Sequence, residues 1–254
     1  NLYNCLGTMA VKEERYEEAL VHFQKARELE PRSSEIYYNL GISYAHLNDL
    51  DRAVVALQQS IELDPDNYKA FFNLGSTFYR QHNLSQAIQQ FQNALALEPG
   101  NVEVLFYLGL AYQEMGHSDQ AVAVYKEILD KDSQHVNARI KLSLAYFSQG
   151  RIELGVAECN RILEIDPAHE AAHINLGLTF FKQKEFDRAI HEYQQALLTN
   201  PQNPLTYYQL AYCHLWKQDI QKGIDCLEKA LHINPDYQVA RQLLNQIQSS
   251  PKVP

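Results

Sequence analysis

The sequence predicts an all-α fold, a solenoid of antiparallel helix pairs stacked side by side, and three observations predict it. Proline recurs at a step of 34 residues, at Pro31, Pro65, Pro99, Pro167, Pro201 and Pro235, with Ser133 at the one mark that lacks it. In the same frame a leucine stands once per unit, at Leu6, Leu40, Leu74, Leu108, Leu142, Leu176 and Leu210. The residue after it is always small: Gly7, Gly41, Gly75, Gly109, Ser143, Gly177 and Ala211. A fixed period in this range marks stacked repeats, each too small to bury its apolar face without its neighbours.

Counting each unit from position 1 to position 34, with the proline mark at position 32, divides the chain at 1–33, 34–67, 68–101, 102–135, 136–169, 170–203 and 204–237. A capping helix is expected at 238–249 and a linker or tail at 250–254. Positions 4, 7, 8 and 11 recur at three- and four-residue spacing, so they share one face of a first helix. Position 20 is small again (Ala19, Ala53, Ala87, Ala121, Gly155, Ala189, Gly223), and position 24 is mostly bulky (Phe23, Leu57, Phe91, Tyr125, Cys159, Tyr193, Leu227). Together they form the facing surface of a second helix. First helices are expected to open after Ser33, Asn67, Asn101 and Asn203, and second helices at Asp51, Ser85, Asp119 and Asp187, where side-chain oxygens accept orphan backbone N–H groups. Asn1 falls at position 2, inside a first helix, so the natural start is expected upstream. In the last helix Val239, Leu243, Leu244 and Ile247 form the expected apolar stripe.

The fifth unit departs most from the pattern, with Arg139, Ser143, Gly155 and Cys159 at positions 4, 8, 20 and 24. Fewer large contacts there predict a weak junction between the fourth and fifth units, and a hinge around residues 130–160.

Lys and Arg number 22 against 31 Asp and Glu, a formal charge of −9 that argues against nucleic acid as the main ligand, because phosphate binding needs a basic face. Cys5, Cys159, Cys213 and Cys226 form no paired motif and are expected to be buried free thiols. No apolar run is long enough to span a membrane, and a cytoplasmic location is expected. His169-Glu170-Ala171-Ala172-His173 spells the zinc-protease motif. Register gives another explanation: His169 takes the capping slot of Asn67 and Asn101, and His173 the position 4 slot of Tyr37 and Phe71. Neither metal, cofactor nor catalytic residue is therefore expected. Asn83-Leu84-Ser85 matches a glycosylation sequon, but Ser85 is already expected to cap a helix.

These residues resemble the tetratricopeptide repeat family, whose pattern is an aromatic at position 4, Leu at 7, Gly at 8, Tyr at 11, Ala at 20, Phe at 24, Ala at 27 and Pro at 32. The second unit follows it with Tyr37, Leu40, Gly41, Tyr44, Ala53, Leu57, Ser60 and Pro65. The resemblance implies a right-handed superhelix whose first helices line a concave groove, and a non-catalytic scaffold that binds a peptide or helical segment of a protein partner there. Candidate groove residues are Tyr38, Phe72, Phe106 and Tyr208 at position 5, and Ile42, Leu110, Leu144, Leu178 and Tyr212 at position 9. Position 6 adds Asn39, Asn73 and Asn175, whose amides both donate and accept and so suit a peptide backbone, while Tyr107 and Lys141 interrupt that row. Lys69, Arg80, Lys141 and Lys182 are candidates for acidic side chains. The family's carboxylate clamp for chaperone tails is absent, since no unit has Lys at position 5 or Asn at position 9. Two alternatives stay open: the substrate-recruiting arm of a larger enzyme such as a glycosyltransferase, and self-assembly through the groove or terminal helices.

Overall fold

The computed structural model describes residues 1–249. Among these residues there are helices and no strand: α1 (Leu2–Lys12) and α2 (Tyr16–Leu29), α3 (Ser34–His46) and α4 (Leu50–Leu63), α5 (Tyr68–Arg80) and α6 (Leu84–Leu97), α7 (Val102–Glu114) and α8 (Ser118–Lys131), α9 (Val136–Ser148) and α10 (Ile152–Ile165), α11 (Glu170–Lys182) and α12 (Phe186–Thr199), α13 (Pro204–Trp216) and α14 (Ile220–Ile233), then α15 (Gln238–Ser249). From α3 to α15 each odd-numbered helix begins 34 residues after the previous one. The tail expected at 250–254 lies outside the described residues. By its internal contacts the chain divides into two compact units, Asn1–Ser133 and Gln134–Pro254.

In the first unit each odd-numbered helix packs on the following even-numbered one, and α2, α4 and α6 also pack on the next odd-numbered helix. Close approach explains the small residue at position 8. A Cβ added at Gly75 would stand 2.7 Å from the Phe91 ring, and one at Gly109 2.5 Å from the Tyr125 ring. Phe23, Leu57, Phe91 and Tyr125 are fully buried as a result.

The second unit uses the same pairing at Gly177 and Tyr193 and reverses it elsewhere. Where position 24 shrinks to Cys159, the large group comes from the other helix: Phe147 lies against Gly155, 2.3 Å from the site of an added Cβ. Leu215 fills the same space above Gly223 at 2.7 Å. Inside the fifth repeat, volume lost from one helix is thus restored from its partner, while the weak junction expected before this repeat falls where the chain divides into its two units, between Ser133 and Gln134. Position 4 changes in step with position 23. Arg139 is buried and donates to Glu158 at 2.6 Å, and His173 meets Glu192 at 2.7 Å, so each polar residue in an aromatic slot has its glutamate nineteen residues on.

Two expectations about helix ends are corrected. Second helices open one residue earlier than expected, so the capping position is 16, held by Asp49, Asn83 and His117; Asp51, Ser85 and Asp119 lie in the first turn. Among the capping positions expected for first helices, Asn67, Asn101 and Asn203 accept backbone N–H groups while Ser33 makes no such bond. The Asn1 side chain accepts the Tyr3 N–H at the start of α1. Second helices end at position 30 even before Ser133, so proline is not required to stop them.

The turn inside each helix pair takes a left-handed residue at position 15: Glu14, Asn48, His82, Gly116, Gly150, Lys184 and Gln218, with φ between 56° and 77°. Five of these carry a side chain in a region that favours glycine. In α15 the buried stripe is Ala240, Leu243 and Ile247, whereas Val239 is exposed.

Candidate functional site

From α3 to α13 the odd-numbered helices bury positions 3, 7, 8 and 10 and leave positions 5, 6 and, save for Leu178, 9 half-buried; in α1 Leu2 and Met9, at positions 3 and 10, are exposed. Tyr38, Asn39, Ile42, Phe72, Asn73, Phe106, Tyr107 and Leu110 all fall in that class in the first unit, as do Lys141, Leu144, Asn175, Tyr208 and Tyr212 in the second. Leu178 is exposed, as are Lys69, Arg80 and Lys182. Helical spacing brings each unit's share of these residues onto one open face.

Chemistry separates the two faces. In the first unit the position 6 amides are occupied: Asn39 donates to Asn4 Oδ1 of the preceding repeat at 3.2 Å, and Asn73 donates to the Tyr38 hydroxyl of the preceding repeat at 3.2 Å and to the Lys69 carbonyl of its own helix at 2.8 Å. Burial pushes the Tyr38 hydroxyl's pKa upward, the bond from Asn73 opposing it. Arg80 is committed too, donating to the Ala45 carbonyl at 2.7 Å and to Asn48 Oδ1 at 3.0 Å. Arg80 therefore braces the left-handed turn of the preceding repeat. Tyr107 packs edge-on against Phe72 at 5.4 Å, which closes the row.

The second unit leaves its position 6 amides without hydrogen-bond partners among the described residues. Position 5 of its first two repeats is Ile140 and Ile174, which offer nothing for the following repeat's position 6 to bond. The Asn175 amide consequently has no hydrogen bond among the described residues, and Gln209 Oε1 is buried without a partner. Asn175 opens onto a recess of about 480 Å³ lined by Leu144, Phe147, Ile152, Leu178 and Lys182. Beside it runs a chain of rings. Tyr237 lies 5.5 Å from Tyr208, Tyr208 is 5.0 Å from Tyr212, and Tyr212 is 6.5 Å from Phe181. Phe181 then meets Phe186 at 5.7 Å, and Phe186 stacks on Trp216 at 6.0 Å. Trp216 remains 50% exposed, more than an indole needs for solubility alone.

The zinc-protease spelling has a structural explanation. His169 Nδ1 accepts the Ala172 N–H as a cap, while both ring nitrogens of His173 are engaged, by Glu192 and by the Pro167 carbonyl at 3.1 Å. Among the described residues no cluster of metal-ligating side chains occurs. Cys159, Cys213 and Cys226 are buried, and burial raises their thiol pKa values to about 11, about 12 and about 11. Cys5 is exposed, a correction to the expectation that all four thiols are buried. No helix among the described residues is long and apolar enough to cross a membrane.

Comparison with known proteins decides the family. Residues 68–247 match the tetratricopeptide repeat protein 21 C-terminal ARM domain, and residues 10–76 match a tetratricopeptide repeat model. The chain belongs to the tetratricopeptide repeat family. No curated protein matches it. The C-terminal part of a repeat protein from Cytophaga hutchinsonii superposes with a TM-score of 0.78 at 16% identity, over 93% of this chain and 97% of that one. PilF of Pseudomonas aeruginosa gives 0.66 at 17% identity, over 84% and 97%. MamA gives 0.60 at 25% identity, over 62% and 92%. Tetratricopeptide register, however, did not foretell a recess of about 230 Å³ lined by Arg27, Tyr37, Tyr44, Arg52 and Val55. Its signal was in the sequence: Arg27 stands at position 28, where the other repeats carry Ile61, Leu95, Leu129, Leu163, Leu197 and Leu231.

Proposed function

We propose that the protein is a non-catalytic scaffold that binds an extended or helical segment of a partner protein on the open face of its odd-numbered helices. The observation that carries this reading is the face of α9, α11 and α13, where half-exposed apolar and aromatic side chains surround an amide with no partner in the fold. Exposed apolar surface of this kind is costly to leave wet and usually marks an interface. Family membership supports the reading, since stacked repeats build extended binding surfaces from side chains on successive helices.

The test is cross-linking of a captured partner to the full chain, with the sites read by mass spectrometry. Cross-links from one partner segment to α9, α11 and α13 are the expected result, together with loss of capture in Leu178→Asp. Cross-links confined to even-numbered helices, or undiminished capture by Leu178→Asp, would place the interface elsewhere and refute the proposal.

A further inference from the structure

The two open faces differ in charge as well as in free amides. On α1, α3, α5 and α7 the outward positions 2, 5, 6, 9 and 13 carry Lys12, Lys69 and Arg80 against Glu35, Glu103 and Glu114. The same positions on α9, α11 and α13 carry Lys141 and Lys182 and no carboxylate, although the whole chain is acidic with a formal charge of −9. Lys182 has no ion pair among the described residues and lies on the rim of the apolar recess that Asn175 opens onto. A cation left unpaired beside an apolar hollow and a free amide selects three things at once: a carboxylate, an apolar side chain, and a peptide group between them.

We infer that the face of α9, α11 and α13 recognises an acidic, leucine-like segment, in which a Leu, Ile or Phe side chain enters the recess and a neighbouring Asp or Glu pairs with Lys182. This rests on the proposed groove and names the chemistry of its ligand. Asn175 holds the backbone between the two side chains, donating to a carbonyl and accepting from an N–H. The recess volume suits one or two such apolar groups. On the first unit Asn39, Asn73 and Arg80 are already engaged, so recognition by free polar groups is concentrated on the second unit.

A random peptide library displayed and selected against the full chain tests this at low ionic strength, where exposed charge pairing is least screened. Enriched sequences are expected to place Asp or Glu beside Leu, Ile or Phe, and the Lys141→Glu/Lys182→Glu variant is expected to enrich Lys or Arg instead. An enriched peptide should bind Lys182→Glu about fivefold more weakly, as loss and reversal of one rim ion pair gives, and Asn175→Ala about tenfold more weakly, as loss of buried hydrogen bonds to the peptide gives. Enrichment of basic or uncharged peptides, enrichment of nothing, or the same peptides from the doubly reversed variant would overturn the inference. Peptides that ignore charge yet are lost in Leu178→Asp would leave the groove standing and remove only this chemistry. Peptides that still bind Leu178→Asp would remove the groove itself. Concentration-dependent mass of the free chain, abolished by Lys141→Glu/Lys182→Glu, would assign the face to a second copy and also overturn it.

Discussion

The same substitution at the same register position should have opposite effects on stability in the two units. Asn73 donates two hydrogen bonds, to the Tyr38 hydroxyl and the Lys69 carbonyl, and both are lost in Asn73→Ala. Each is worth about 0.5–1.5 kcal/mol net, and the greater helix propensity of alanine returns about 0.5 kcal/mol. The net loss is about 1 kcal/mol, or about 3 °C in midpoint for a chain of this size. Asn175→Ala removes no bond in the fold and retains the propensity gain, so its midpoint should rise by about 1–2 °C. Thermal unfolding by circular dichroism measures both, and amide exchange assigns the change to α5 or α11. Shifts of the same sign, or a larger loss at Asn175, would show that the two amides are not differently employed. The distinction between an occupied first face and an open second face would then fail.

Turn residues give a second pair of opposite expectations. Gly150→Ala puts a Cβ on a residue at φ 71° with nothing within 4 Å, so it should cost about 1 kcal/mol of backbone strain alone, whereas Lys184→Gly, from φ 63°, should gain a similar amount. Denaturant midpoints at constant m-value check both. Gly75→Ala forces a Cβ to within 2.7 Å of the Phe91 ring and should cost about 1–3 kcal/mol, with Phe91→Leu partly restoring the loss in the double variant. His214 is buried, and burial first and Lys222 second lower its pKa below 6.5, with Asp219 opposing and Lys217 adding to the fall. The unfolded chain therefore binds this proton more tightly, and stability should decline as pH falls through about 6.5. A pH series of unfolding midpoints should show that acid limb flattened in His214→Gln. Purified protein equilibrated with zinc and then dialysed should retain no stoichiometric metal, since His169 and His173 are committed to a cap and to Glu192.

Periodicity determined most of this protein from sequence alone. Leucine at position 7 and a small residue at position 8 recur because two helices must touch there, and a constraint repeated every 34 residues is visible without coordinates. The same register assigned His169 and His173 to structure before any distance was known. Tertiary structure decided what register could not, because a hydrogen-bond partner in the next repeat lies some 35 residues away and carries no periodic signal of its own. Asn73 and Asn175 are indistinguishable in the repeat pattern, yet one donates to a tyrosine hydroxyl and the other, with Ile140 at the matching position of the preceding repeat, has no hydrogen bond from its amide among the described residues. The exchange of Phe147 for a ring at position 24 was hidden for the same reason: a core conserves volume, and the sequence does not show which helix supplies it. Which face is free to bind therefore follows from neighbours across the stack, and only the packed structure brings those neighbours together.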